Sequence, residues 1–182
     1  MNAEHALVEL VSPDGKPLGS STVDEAHVGE GLLHRAFSVL LFDSEGHTLL
    51  QRRSATKTRF PLRWANACCG HPAPGEDVVA AATRRLAEEL GVRGIDLAPV
   101  GILTYAAADQ ATGRVEREYD HVLVGRVRSG LTSTPDPAEV ASLRWVAPSA
   151  VLDDLSGTRS AEYAPWLPGV LRIALASTGE AP

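Results

Sequence analysis

Long apolar runs are missing from this chain: no stretch approaches the roughly 20 apolar residues that a membrane-spanning helix needs. The first residues, Met1-Asn2-Ala3-Glu4-His5, are acidic and no apolar core follows them, so they do not read as a secretory leader. Cysteine is scarce too, with two residues, Cys68 and Cys69, lying side by side. A bridge between neighbours closes a strained ring and staples nothing, so both are expected as reduced thiols in a cytoplasmic protein. Aromatics are 5% of the residues and the formal net charge is −6, so the overall field repels phosphate polymers. Nucleic acid and membrane are therefore not expected partners, and no obligate protein partner is evident. An anionic ligand would need metal ions and a few local cations to overcome that field.

What is present fits one domain spanning residues 1–182, a length that buries roughly 70% of the unfolded chain's surface. Leu7 to Val11, the turn Pro13-Asp14-Gly15-Lys16 and a short strand near Leu18 predict an N-terminal hairpin. Phe37 to Phe42 is an apolar run of buried-strand length, with Thr48 to Arg52 as its return strand. Arg53 to Pro74 carries basic residues, Pro, Gly and Trp without periodicity, and reads as loop around a short strand. Helical spacing of Val78, Val79, Ala82, Leu86 and Leu90 predicts a helix from Asp77 to Leu90, ended by Gly91. Strands are expected at Leu97 to Tyr105, Val115 to Val127 and Ser142 to Val146, and helices at Pro148 to Leu155 and Trp166 to Ala176. That order predicts an α/β (α+β) fold, a mixed sheet sandwiched between helices with the hairpin as an extension.

Glu88 and Glu89 could be a solvated pair on an amphipathic helix. Their context is more specific. Gly70-His71-Pro72-Ala73-Pro74-Gly75-Glu76, followed by Arg84-Arg85-Leu86-Ala87-Glu88-Glu89-Leu90-Gly91, resembles the Nudix box, whose loop and helix present carboxylates to divalent cations on a diphosphate. Hydrolytic members carry Glu after the box Arg, where this chain has Arg85. Loss of that acid weakens water activation, and a guanidinium is suited to holding a diphosphate that stays intact.

Trp64-Ala65-Asn66-Ala67-Cys68-Cys69-Gly70-His71-Pro72 is similar to the Trp-x-Asn-x-x-Cys-Gly-His-Pro signature of type 1 isopentenyl-diphosphate isomerases, a branch of the Nudix superfamily. The similarity runs in order from Leu7 to the C-terminal helix and implies a Nudix-like fold. It implies metal-binding histidines at His27, His34 and His71. The strand period of two puts Glu116 and Glu118 on one face, where they could complete a three-His, two-carboxylate site. Alternation alone also fits a half-solvated edge strand. Three imidazoles favour a transition metal, Mn²⁺ or Zn²⁺, over Mg²⁺.

The implied reaction interconverts isopentenyl and dimethylallyl diphosphate. It needs an acid and a base on opposite faces of the carbon skeleton, with water excluded. The resemblance puts Glu118 with Tyr105 on the acid side and Cys69 on the base side; the residues alone do not fix which gives the proton. Cys68 reads as a small buried hydrophobe. Trp166 matches the family's aromatic over the hydrocarbon, where its face would favour a developing cation. Arg53, Lys57 and Arg85 would grip the diphosphate, with Mg²⁺ bridging it to Glu89. Arg59 and Arg63 read as solvated loop cations, and Val23 stands near where relatives carry a Lys. The rival readings are a Nudix diphosphate hydrolase and a metal-stabilised module that binds an isoprenoid diphosphate without turning it over.

Overall fold

The run Phe37-Ser38-Val39-Leu40-Leu41-Phe42 has no polar face because it is buried on both sides of a sheet. In the computed structural model, which describes residues 3–128 and 131–178, it lies in β3 (His34–Phe42). The strand pairs in parallel with β8 (Arg114–Arg126) from His34 opposite Glu118 to Phe42 opposite Arg126. Successive residues of β3 feed different cores. Phe37, Val39 and Leu41 pack with Leu86 and Leu90 of a helix on one face. Leu40 and Phe42 pack with Leu167 and Leu171 of another helix on the opposite face. Helices therefore cover both faces of a mixed sheet, as the order of elements predicts.

The N-terminal hairpin forms from β1 (Leu7–Val11) and β2 (Pro17–Thr22), and β1 meets β3 at Leu10 opposite His34. A short helix, α1 (Val23–Ala26), follows, capped by Thr22 and Glu25 in a reciprocal box. β4 (Thr48–Arg53) returns beside β3. The expected loop from Arg53 to Pro74 contains two short strands, β5 (Trp64–Asn66) and β6 (Cys68–Gly70). β5 pairs with β4, and β6 pairs with β3 so that Ser38 faces Cys69 and Val39 faces Cys68.

The helix expected from Asp77 is α2 (Val78–Leu90), with Asp77 accepting the Ala80 N–H as N-cap. Gly91 ends it in the left-handed region, at φ 68°. β7 (Leu97–Asp109) is longer than expected, and forms a hairpin with β8 in which Tyr105 lies opposite Glu118. β9 (Val140–Val146) pairs with β4. α3 (Pro148–Ser156) and α4 (Leu167–Thr178) complete the chain, with Trp166 just ahead of α4 rather than inside it. No described helix is long and apolar enough to cross a membrane.

Candidate active site and metal centre

β8 is an interior strand, flanked by β3 and β7, so its alternation is not that of a solvated edge. Glu116, Glu118 and Asp120 point to the same face, and all three are buried. Opposite them stand three imidazoles from different parts of the chain. His27 follows α1, His34 opens β3 and His71 follows β6. One ligand atom from each of His27, His34, His71, Glu116 and Glu118 lies within 4.8 Å of all the others.

The histidine tautomers follow from their neighbours. His27 Nδ1 lies 2.6 Å from the Val23 carbonyl, and His34 Nδ1 lies 2.7 Å from that of Leu32. A carbonyl only accepts, so each Nδ1 carries the proton and each Nε2 turns its lone pair to the cluster. His27 Nε2 is 2.9 Å from Glu116 Oε2, and both atoms are buried without a hydrogen-bond partner. Two lone pairs so placed repel unless a cation lies between them. His71 Nε2 is 3.0 Å from Glu118 Oε1, and burial pushes the His71 imidazole down to about 4, which keeps it neutral. This donor set fits a divalent cation.

A cavity of ≈ 740 Å³ opens beside the cluster. Cys69, Tyr105, Glu118, Arg53, Lys57, Arg85 and Trp166 all line it, with His71 and Glu116. The Tyr105 hydroxyl donates to Glu118 Oε2 at 2.6 Å. Burial raises the Tyr105 hydroxyl well above its ordinary range, with Glu118 adding to the effect, so it stays a donor. Burial, then the charge of Asp120, pushes the Cys69 thiol up to about 12, while Arg53 pulls the other way. Cys68 is buried in the core under α2, as expected of a small hydrophobe.

Trp166 is 3% exposed and its indole Nε1–H donates to Asn66 Oδ1 at 3.0 Å. The Arg53 guanidinium lies 5.5 Å from the centroid of that ring, while its Nε and Nη2 donate to the carbonyls of Arg59 and Phe60. Lys57 pairs with Glu139. Arg85 reaches Glu88 at 2.8 Å and Glu89 at 2.5 Å. Glu89 is 1% exposed and sits behind Arg85, with its other oxygen accepting from Gln51 Nε2 at 3.2 Å, and it does not line the cavity. Val23 lines the cavity as an apolar residue.

Arg59 is not the solvated loop cation expected from the sequence: its side chain is 12% exposed and its Nε lies 3.2 Å from Glu116 Oε1. Its Nη1 donates to both oxygens of Glu4 at 3.1 Å, which ties the N-terminal turn to the Glu116 carboxylate. Nothing local marks Arg59, because both partners are more than 50 positions away. Asp120 is a further residue of the site, one step along the same period that pairs Glu116 with Glu118. Its Oδ2 accepts from Ser38 at 2.7 Å, and Ser38 Oγ lies 3.7 Å from Cys69 Sγ.

Comparison with known proteins identifies the family. A NUDIX domain model matches residues 32–167. The chain is 60% identical to an isopentenyl-diphosphate Delta-isomerase of Nocardia farcinica, over 95% of this chain and 97% of that one. It is 47% identical to an isopentenyl-diphosphate Delta-isomerase of Streptomyces coelicolor, over 83% of this chain and 76% of that one. In fold it is similar to the crystal structure of DR0079 from Deinococcus radiodurans, with a TM-score of 0.71 at 21% identity, covering 91% and 97% of the two chains. The chain belongs to the isopentenyl-diphosphate Delta-isomerase family of Nudix-domain proteins.

Proposed function

We propose that this chain, acting as one domain, interconverts isopentenyl diphosphate and dimethylallyl diphosphate. The observation that carries this reading is the shared cavity: the Cys69 thiol and the Glu118 carboxyl line one space, with Tyr105 hydrogen-bonded to Glu118. Membership of the isomerase family supports it.

The reaction adds a proton to the terminal methylene carbon and removes one from the carbon next to the diphosphate-bearing one. The double bond moves and the atom count is unchanged. In the dimethylallyl direction the alkene would take its proton from the Tyr105–Glu118 pair and give one to Cys69, which enters as the thiolate, the form that burial disfavours and Arg53 favours; the reverse reaction starts from the thiol and the carboxylate and exchanges the roles. The neutral thiol favoured by burial is the form Cys69 takes after accepting its proton. Positive charge between the two steps would lie beside the indole of Trp166, worth about 2 kcal/mol when desolvated. The enclosing walls keep water from capturing it.

Mn²⁺ or Zn²⁺ would be held by His27, His34, His71, Glu116 and Glu118, and its charge would fix the Glu118 carboxyl and tune its acidity. Arg53, Lys57 and Arg85 would hold the diphosphate. Glu89 would face a substrate-bound Mg²⁺ once the diphosphate draws Arg85 away from it. Free thiols at Cys68 and Cys69 support a reduced, cytoplasmic setting, and the small-molecule diphosphate is the partner proposed.

The test is to incubate the purified protein with isopentenyl diphosphate and Mg²⁺ in D₂O and follow the vinyl protons by NMR. Deuterium in a dimethylallyl product is the expected result. Phosphate release would identify a hydrolase instead, and an unchanged spectrum a module that only binds.

A further inference from the structure

Two cations of the cavity converge on a single carboxylate. Lys57 Nζ pairs with Glu139 Oε2, and Arg85 Nη2 lies 3.4 Å from Oε1 of the same side chain. Backbone bonds hold this arrangement. The Ser54 N–H donates to the Glu139 carbonyl at 2.9 Å and Thr56 Oγ1 donates to that of Ala138 at 3.1 Å, which zips the loop bearing Lys57 to the loop bearing Glu139. The Asp136 N–H donates to the Glu89 carbonyl at 2.9 Å, anchoring the second loop to the end of α2. Glu139 itself lines the cavity and its side chain is 23% exposed, so it can move without unpacking a core.

We propose that Glu139 is a displaceable counter-ion that makes diphosphate recognition conditional on a divalent cation, an inference that rests on reading Lys57 and Arg85 as diphosphate ligands. Within this network Lys57, Arg84 and Arg85 face Glu76, Glu88, Glu89 and Glu139, three positive charges against four negative. A free diphosphate meets Lys57 and Arg85 already neutralised, beside carboxylates that repel it. A divalent cation on the diphosphate reverses that balance. It cancels part of the ligand's charge and offers Glu139 a new partner through its water shell, which releases Lys57 and Arg85 to the phosphate oxygens. The species selected is then a metal–diphosphate complex rather than the bare anion.

Calorimetric titration with inorganic pyrophosphate tests this, using wild type and Glu139→Gln, each in excess Mg²⁺ and in excess chelator. Wild type is expected to lose most of its affinity in chelator. Glu139→Gln, nearly the same shape without the charge, should bind metal-free pyrophosphate about tenfold more tightly than wild type does, a difference of about 1.4 kcal/mol. Any loss of the histidine-site metal affects both proteins alike and cancels in the comparison. Glu139→Asp keeps the charge and should keep the metal requirement, which separates the charge from a general disturbance of the loop. Equal metal dependence in wild type and Glu139→Gln overturns the role of Glu139 alone. Failure of wild type to bind pyrophosphate even with Mg²⁺ overturns the reading of Lys57 and Arg85, and this inference with it.

Discussion

The Cys69 thiol lies 3.2 Å from Asn66 Oδ1, the same oxygen that receives the Trp166 indole N–H at 3.0 Å. The amide cannot be turned round. An indole nitrogen only donates, and Asn66 Nδ2 faces the carbonyls of Val39 at 3.2 Å and Cys68 at 2.8 Å, which only accept. One buried side chain thus fixes the proposed base relative to the aromatic proposed to cover the hydrocarbon.

Replacing Asn66 by Ala should therefore disturb both. Four hydrogen bonds are lost, three of them buried, and the expected cost in stability is about 2–4 kcal/mol, read as a shift of the urea midpoint. Among molecules that remain folded, kcat should fall by about 10- to 100-fold, while KM, set by the remote diphosphate grip, changes far less. A KM that rises while kcat holds would contradict this role.

A cation at the histidine cluster should stabilise the fold, because without one the lone pairs of His27 Nε2 and Glu116 Oε2 face each other at 2.9 Å. Adding Mn²⁺ or Zn²⁺ to chelated protein should raise the melting temperature. At a free concentration about 100 times the Kd, the gain is about 2.7 kcal/mol. His27→Ala should abolish most of that rise. An unchanged melting curve on metal addition would argue against a site here.

Asp109 ties the β7–β8 hairpin to the loop carrying Phe60. Its carboxylate accepts the N–H groups of Phe60 at 2.7 Å and Ala111 at 3.0 Å, and the hydroxyl of Thr112 at 2.8 Å. Burial disfavours its charge, but these bonds outweigh that and hold its pKa below the ordinary value of 3.8. The sign follows: the contribution is complete above the unfolded value and is lost as pH falls through the lower folded one. Asp109→Asn should cost about 1–2 kcal/mol at neutral pH, and its deficit against wild type should shrink in urea melts taken at progressively more acidic pH below 3.8.

Gly91 closes α2 at φ 68°, and a Cβ built there would lie 2.0 Å from Thr134 Oγ1. Gly91→Ala is expected to destabilise by about 1–3 kcal/mol through strain and overpacking together. Thermal melts of the single variant and of Gly91→Ala with Thr134→Ala separate the two, since the second change relieves only the clash.

The parts of the fold legible in the sequence are those set by local rules. Asp77 and Gly91 bracket α2 because a cap and a left-handed turn are decided within a few residues. The apolar run of β3, interrupted only by Ser38 between Phe37 and Phe42, shows burial on both faces for the same reason. The five residues of the His and Glu cluster were legible only as a set, through family spacing, since no single His or Glu among them is distinctive. Arg59 and Glu139 were not legible. Each takes its meaning from partners brought close by folding, Glu116 for one and Lys57 with Arg85 for the other. Asp120 could have been found by extending the alternation of β8 by one more step.

In the proposed reaction one proton is given and one taken by Glu118 and Cys69 across a single cavity. The most direct test is turnover of Cys69→Ala and Glu118→Gln beside calorimetric binding of a non-reacting diphosphate analogue to the same proteins. Each variant should lose about 10²- to 10⁴-fold in kcat while still binding the analogue. A Cys69→Ala protein that turns over within about threefold of wild type would contradict the account, since removal of a working acid or base cannot cost so little.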